Sequence, residues 1–461
     1  MGCLARKALA VTVLTAAALI RIPLLPYGAL AQVATPISTL THAYNASGQE
    51  LLKEFSGSPG NIVFSPYSIG SAMSMALSGA RAETEREMLS VLKHHLTRQE
   101  IEAANSQALT TFKNYDKSAV TPTCPAGMEL EGQRCRTSPS ADGWCPPPMK
   151  REGDQCFGGA TLAPSAKLLV ANALMMIRSE SISPEYAALL KDQYAAEVFQ
   201  KATLSDINRW VSRKTEGKIP KMLDQLDDTA AVLLNAVYFK SRWASPFDER
   251  DTKNDAFSLS SGQQAKVAMM NQTHQYAVVA RQGYRAIRLP YAVRTLSMVI
   301  ALPNEVDGLG AVVAQTDAKE QSEMIASLRN SPTKPVALLL PRFKTEFKAG
   351  LVPLYRQAGM KLAFDPERAD FSGITGKPAS EDRLFIGGIL HRAMIEVSEE
   401  STEAAAATAI SMVATGLPRK PEVPEVFRVD RPFLFSIVDD ATGAILFTGR
   451  ISDPLQMLAS R

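Results

Sequence analysis

Histidine is scarce in this chain of 461 residues: five, at positions 42, 94, 95, 274 and 391, must serve any imidazole chemistry it performs. No serine stands in a Gly-x-Ser-x-Gly elbow, no His-Glu-x-x-His pair occurs, and no glycine-rich loop leads into Lys-Ser or Lys-Thr. A base-activated nucleophile, a zinc peptidase centre and a phosphate cradle therefore all lack their parts. His94 and His95 are adjacent, and adjacent side chains on a helix point about 100° apart, so a solvated face is expected there rather than shared metal ligation. Enzymatic activity, a cofactor and a bound metal are not expected.

Charge of one sign is also missing. Lys and Arg number 50 against 47 Asp and Glu, a net +3 that gives no reason to expect a nucleic-acid or membrane-surface partner. Beyond the N-terminus no segment approaches eighteen unbroken apolar residues, so no later membrane span is expected. At the start, Arg6 and Lys7 precede an apolar stretch from Ala8 to Ile20, and Ala29-Leu30-Ala31 offers a small-residue cleavage site. Residues 1–31 thus read as a secretory signal peptide, with the mature chain starting at Gln32 and ending up secreted, in the periplasm or extracellular space. Arg21 interrupts the stretch, which is short for a span; an uncleaved anchor is the alternative.

Cysteine is confined. Cys3 lies in the leader, and Cys124, Cys135, Cys145 and Cys156 fall in one stretch, roughly 120–165, that contains a repeat. In both Cys124–Cys135 and Cys145–Cys156, Pro follows the first Cys, Met stands four residues after it, Gly eight after and Cys eleven after. The simplest reading is two stapled loops, Cys124 with Cys135 and Cys145 with Cys156, out of three pairings the sequence allows. Each would stabilise by roughly 2–3 kcal/mol in an oxidising compartment. A four-cysteine zinc site normally wants its pairs two to four residues apart, which the ten intervening residues do not provide.

The most informative run is Thr402 to Val413, Thr-Glu-Ala-Ala-Ala-Ala-Thr-Ala-Ile-Ser-Met-Val, after Glu399-Glu400-Ser401. Four alanines favour a helix. Small side chains and the absence of proline also suit a segment that slides between two strands, with every N–H free to pair. As a strand it would turn Thr402, Ala404, Ala406, Thr408, Ile410 and Met412 inward and leave its one charge, Glu403, outside. Before it, Leu384 to Val397 reads as a strand; after it, Pro418, Pro421 and Pro424 hold the return extended. A strand, a loop and a proline-punctuated return make a tethered surface segment.

Seven motifs stand in one order: Asn61-Ile-Val-Phe-Ser65-Pro66-Tyr67-Ser68-Ile69; Ile207-Asn208 through Trp210 to Ile219; Leu234-Asn235 through Phe239 to Trp243 with Pro246-Phe247-Asp248; Leu340 to Lys344; Phe371-Ser372-Gly373-Ile374; His391 with the Glu399–Thr408 hinge; and Arg431 to Phe435 leading to Phe447-Thr448-Gly449-Arg450. In these the chain resembles the serpin family over nearly its whole mature length. The resemblance implies an α+β fold: one domain over 32–461, with a large central antiparallel sheet, two smaller sheets, a helical layer and an exposed reactive-centre loop at about 399–427. It also implies a monomer that inhibits a serine, or cysteine, protease as a suicide substrate.

The residue roles carried by that resemblance are specific. Glu399, Glu400, Ser401, Thr402, Glu403, Ala404, Ala405, Ala406, Ala407 and Thr408 would form the hinge, with Ser401 where inhibitory members usually have glycine. Ser65, Ser68, Asn235 and His391 would form a buried cluster at the centre of the sheet, and Trp243, Arg342 and Glu399 a latch at its top. Counting from Glu399 places the scissile bond at Thr415-Gly416, where small residues suit an elastase-like or subtilisin-like protease. Counting back from Pro432 points instead to Lys420 and Arg419, a trypsin-like site, with Pro421 disfavouring cleavage after Lys420. A carrier or scaffold without inhibition is the other functional alternative. The cysteine-rich insertion departs from the family and is expected to replace a helix beside the main sheet, so a polyanion site is not carried over; an unknown partner of the insertion is a further expectation.

Among ordinary elements, Ser38–Phe55 and Ser68–Lys93 read as helices. Lys167–Ile177, Ala230–Phe239, Ala286–Leu289, Leu296–Leu302, Val336–Phe343 and Phe433–Ile437 read as strands.

Overall fold

A computed structural model describes residues 35–117, 128–131, 134–140, 143–146, 149–159, 166–177, 181–225, 231–381, 384–399 and 422–460. The proposed leader lies outside them, as do Cys124, Glu400–Thr408 and both candidate scissile bonds.

Helix α1 (Pro36–Phe55) starts where proline fixes the first turn and Thr35 accepts from the Ser38 N–H, and it buries Leu40, Tyr44, Leu51, Leu52 and Phe55. Helix α2 (Pro66–Gly79) opens in the same way, with Ser65 as its cap, but every one of its residues is buried. Its small residues allow that: a Cβ on Gly70 would lie 2.3 Å from the Tyr44 ring of α1. The helix anticipated over Ser68–Lys93 is two helices, because Ala80 and Arg81 are extended where the Arg81 N–H leaves the helix for the Asp370 carbonyl at 3.0 Å. Helix α3 (Ala82–Val91) then closes on Lys93, whose φ of 60° places it in the left-handed region. His94 folds back there, 8% exposed and edge-on to Tyr44, while His95 is exposed; the expectation of a solvated pair holds for His95 only.

Helix α4 (Arg98–Lys117) follows, and its Ile101, Ala104, Ala108 and Phe112 are buried. The insertion therefore does not replace a helix: it comes after α4 and before the first strand of the central sheet.

Among the described residues that sheet has six strands, in chain order β1 (Ala166–Met176), β2 (Glu197–Gln200), β3 (Ala231–Ser241), β4 (Phe343–Gly350), β5 (Ile386–Val397) and β6 (Leu458–Ser460). Their spatial order is β6-β4-β5-β3-β1-β2. The sheet is mixed, not wholly antiparallel: β4/β5 and β1/β3 are antiparallel, whereas β5/β3, β1/β2 and β4/β6 are parallel. Both faces are covered. One lies on the main core with α2, and across the other Ile207, Trp210 and Val211 of helix α5 (Leu204–Lys214) pack on Leu234, Ala236 and Tyr238, with Met394 in the same cluster. Burial on both faces explains why β3 reads as a continuous apolar run.

Two further sheets share the 18-residue strand Gln264–Arg281. Its first part pairs with Lys253–Ser258 and with Lys334–Pro341, and its last part with Tyr284–Pro290. The run anticipated as one strand over Val336–Phe343 turns a corner at Arg342, whose N–H donates to the Ala268 carbonyl, so that Phe343 begins β4 in the central sheet. The segment Glu425–Arg428 is an edge strand parallel to Lys334–Pro341, which ends the surface loop before Glu425 rather than at 427.

The insertion forms a four-stranded sheet of its own from two hairpins, Glu129–Glu131 with Arg134–Thr137 and Lys150–Glu152 with Gln155–Gly159. The hairpins join through their second strands, Cys135 opposite Gly158 and Thr137 opposite Cys156, so the sequence repeat becomes a local two-fold centred on the Arg136–Phe157 pair. Cys145 and Cys156 are disulfide-bonded, with Cα atoms 5.6 Å apart, and Cys135 is also in a disulfide.

Candidate functional site

Strand register builds the first part of the site. Ala349 of β4, His391 of β5, Asn235 of β3 and Asn172 of β1 stand opposite one another on a single rung. All four are buried in the middle of the sheet, against the first turn of α2. His391 Nδ1 contacts Asn235 Oδ1 at 2.5 Å, and the Ser65 N–H donates to His391 Nε2 at 3.4 Å. One protonation state satisfies both contacts, a neutral ring with its proton on Nδ1. The Asn235 amide donates to the Ser68 carbonyl at 3.0 Å, to Ser68 Oγ and to Asn172 Oδ1. Burial holds His391 down to about 3.

These polar atoms are sealed in an apolar interior, where an unpaired group costs about 1–3 kcal/mol. The rung therefore ties β5 to β3, and both to α2, by groups that have no solvent to turn to. Ser65, Ser68, Asn235 and His391 are brought together as the sequence suggested. Asn172 and Ser71, which meet at 3.5 Å, are additional members. The signal for Asn172 was present: it is the one polar residue among Val170, Ala171, Ala173 and Leu174.

The second part lies at the top of the same strands. Glu399 follows β5 and is 1% exposed, with its carboxylate 2.6 Å from Arg342 Nη2 and accepting from Thr252 Oγ1 at 2.6 Å. Burial alone would raise this carboxyl; the hydrogen bonds from Arg342 and Thr252 outweigh it and hold Glu399 below the usual range. Trp243 donates from Nε1 to the Ser398 carbonyl at 2.9 Å and stacks on Tyr291 at 4.6 Å between ring centroids. Trp243, Arg342 and Glu399 thus meet, joined by Thr252 and Tyr291, which sequence reasoning missed because they come from separate loops. Arg342 is half-exposed, so its ion pair contributes on the scale of a surface contact.

Together these contacts fasten β5 to β3, with the alanine-rich segment leaving from the fastened end. Because β3 and β5 run parallel, a segment that follows β5 and doubles back between them would be antiparallel to both. One slanted parallel ladder would give way to two antiparallel ones. No group of three or more His, Cys, Asp or Glu side chains suited to a metal occurs among the described residues.

Comparison with known proteins agrees with this geometry. The family described as serpin (serine protease inhibitor) matches residues 42–131 and 150–454, the break falling inside the cysteine-rich insertion. An uncharacterized serpin-like protein of Thermococcus kodakarensis is 32% identical, over 90% of this chain and 86% of its own length. The leukocyte elastase inhibitor of Homo sapiens is 33% identical, over 86% and 93%. Among solved structures, native protease nexin-1 with heparin superposes with a TM-score of 0.71 at 26% identity, covering 91% of this chain and all of its own.

Proposed function

The chain belongs to the serpin family, and from that premise we propose that it is an exported suicide inhibitor of an elastase-like or subtilisin-like serine protease. The observation that carries the reading is the parallel β3/β5 junction with a proline-free, alanine-rich segment leaving directly after the Glu399 latch. The protease serine Oγ attacks the Thr415 carbonyl; an ester forms, the amide to Gly416 breaks, and the freed amine takes the proton. The twelve residues Thr402 to Val413 then follow into the junction, the His391–Asn235 contact opens, and the tethered protease is carried toward the other pole with its active site distorted.

The driving force comes from the added ladder. About twelve inserted residues at about 0.5 kcal/mol net per hydrogen bond give roughly 6 kcal/mol, enough to hold a two-state change almost wholly on one side. Met412-Val413-Ala414-Thr415 fit a small specificity pocket, in keeping with the human relative named for leukocyte elastase. A trypsin-like protease cutting after Arg419 is the competing specificity, and Ser401 at the hinge favours the competing class, a carrier that never inserts.

Incubation with pancreatic elastase, subtilisin and trypsin tests all three. A covalent band stable on denaturing gels, with release of a peptide starting at Gly416, is the expected result; a peptide starting at Lys420 would move the bond to Arg419. Loop nicking by a non-target protease should raise the melting temperature. An unchanged melting temperature together with no covalent band would reject inhibition.

A further inference from the structure

We propose that the cysteine-rich insertion is an accessory docking module for the protease held on the reactive loop, with Trp144 as its anchor. Among the described residues, Trp144 is the one aromatic side chain counted with the exposed large hydrophobics, 57% exposed, whereas Trp210 and Trp243 are buried. Its backbone is pinned on both sides. The Trp144 carbonyl accepts from the Ser140 N–H and Oγ, each at 3.0 Å, and the Gly143 N–H donates to the Ser140 carbonyl at 2.8 Å. Gly143 has φ +79°, a Cβ there would lie 2.5 Å from Arg151 Nη1, and Arg151 donates to the Gly143 carbonyl at 3.3 Å. The Cys145–Cys156 disulfide follows at once. A solvent-facing tryptophan whose backbone is pinned beside a stapled hairpin has less backbone ordering entropy left to lose, and tryptophan is the kind of residue that dominates binding interfaces.

Strand register says which partner is in reach. Ala166, where the chain enters β1 after the insertion, pairs with Ser241 on β3. The β3/β5 register, continued two residues past Phe239–Ile395, sets Ser241 level with Val397, just before Glu399. With strands about 4.8 Å apart, Ala166 is about 10 Å from the strand end that launches the loop. Seven Cα steps link Gly159 to Ala166, so the insertion's last strand ends within about 25 Å of Ala166. A protease of ~220 residues is roughly 45 Å across. One seated on a loop that starts at Glu399 therefore lies within reach of the module, whose chain joins the sheet at the end that launches the loop.

This inference rests on the inhibitory reading, and its test separates the two. The association rate constant and the stoichiometry of inhibition are measured with pancreatic elastase and subtilisin for the full chain, for Trp144→Ala and for the Cys145→Ser/Cys156→Ser pair, which opens the staple should the first variant express poorly. Docking acts on encounter, so both variants should lose at least tenfold in association rate with stoichiometry and the main melting transition unchanged. A change below threefold overturns the proposal while inhibition stands. Self-association of the wild type that Trp144→Ala abolishes, with the rate unchanged, assigns the residue to a second copy and also overturns it. Absence of a covalent complex in the wild type removes the inhibitory reading, and this inference with it.

Discussion

Replacing Asn235 by alanine removes the centre of the buried rung. His391 Nδ1–H loses its acceptor, and the Ser68 carbonyl and Asn172 Oδ1 lose a donor. Leaving such groups sealed without partners costs about 1–3 kcal/mol each, and partial repacking brings the expected total to about 4 kcal/mol. For a unit running from Thr35 to Arg461, the unfolding entropy is roughly 0.9 kcal/mol/K, so the native melting temperature should fall by about 4–5 °C. A second measurement makes the prediction specific to the junction. Once a strand lies between β3 and β5, His391 and Asn235 are two strand spacings apart, about 9.6 Å, and their contact no longer exists. Cleaved, inserted protein should therefore lose less than about 2 °C on the same substitution. Scanning calorimetry on native and nicked samples reads both. A native shift below about 1 °C, or an equal shift in the two forms, would refute the claim that this rung fastens the uninserted sheet.

Acid should weaken the native state early. His391 and His94 are held near 3 and 4 by burial, both below the ~6.5 of an unfolded histidine, so their stabilisation is full above pH 6.5 and declines below it at roughly 1.4 kcal/mol per pH unit for each. Urea midpoints at pH 7.5, 5.5 and 4.5 should fall in sequence; a flat profile from 7.5 to 5 would contradict the buried neutral rings. At the latch, Arg342→Ala should cost only about 1 kcal/mol, since Arg342 is half-exposed and Thr252 still serves Glu399. The exchange Arg342→Glu/Glu399→Arg should recover part of either single loss in thermal stability, and failure to recover any would argue against pairing as the source. Truncation after Gln456 removes β6 and bares the outer edge of β4, an unpaired ladder open to another chain. Light scattering should then report concentration-dependent oligomers, whereas a clean monomer would show that the edge is protected by other means.

Much of this was legible in the residues. Apolar runs fixed β1, β3 and β5 to within a residue or two because cover on both faces leaves few polar positions to interrupt them. The cysteine repeat announced two like stapled loops, which the structure folds as hairpins, and Asn235, His391, Ser65 and Ser68 were identified by their motifs. Sequence could not say that β3 and β5 run parallel side by side, because pairing between residues more than 150 positions apart follows from chain topology and not from local propensity. The break at Ala80-Arg81 was hidden for the same reason: a carbonyl at Asp370 captures a backbone N–H that local preference would have kept in a helix. Thr252 and Tyr291 became latch residues, and Leu458–Ser460 a sheet edge, only because tertiary packing brought them there. Composition and spacing determined which segments could be strands, hinge and staple. The long-range ladders, whose hydrogen bonds carry no sequence signature, decided where the sheet is fastened and that Ala166, Ser241 and Val397 lie at one end of it.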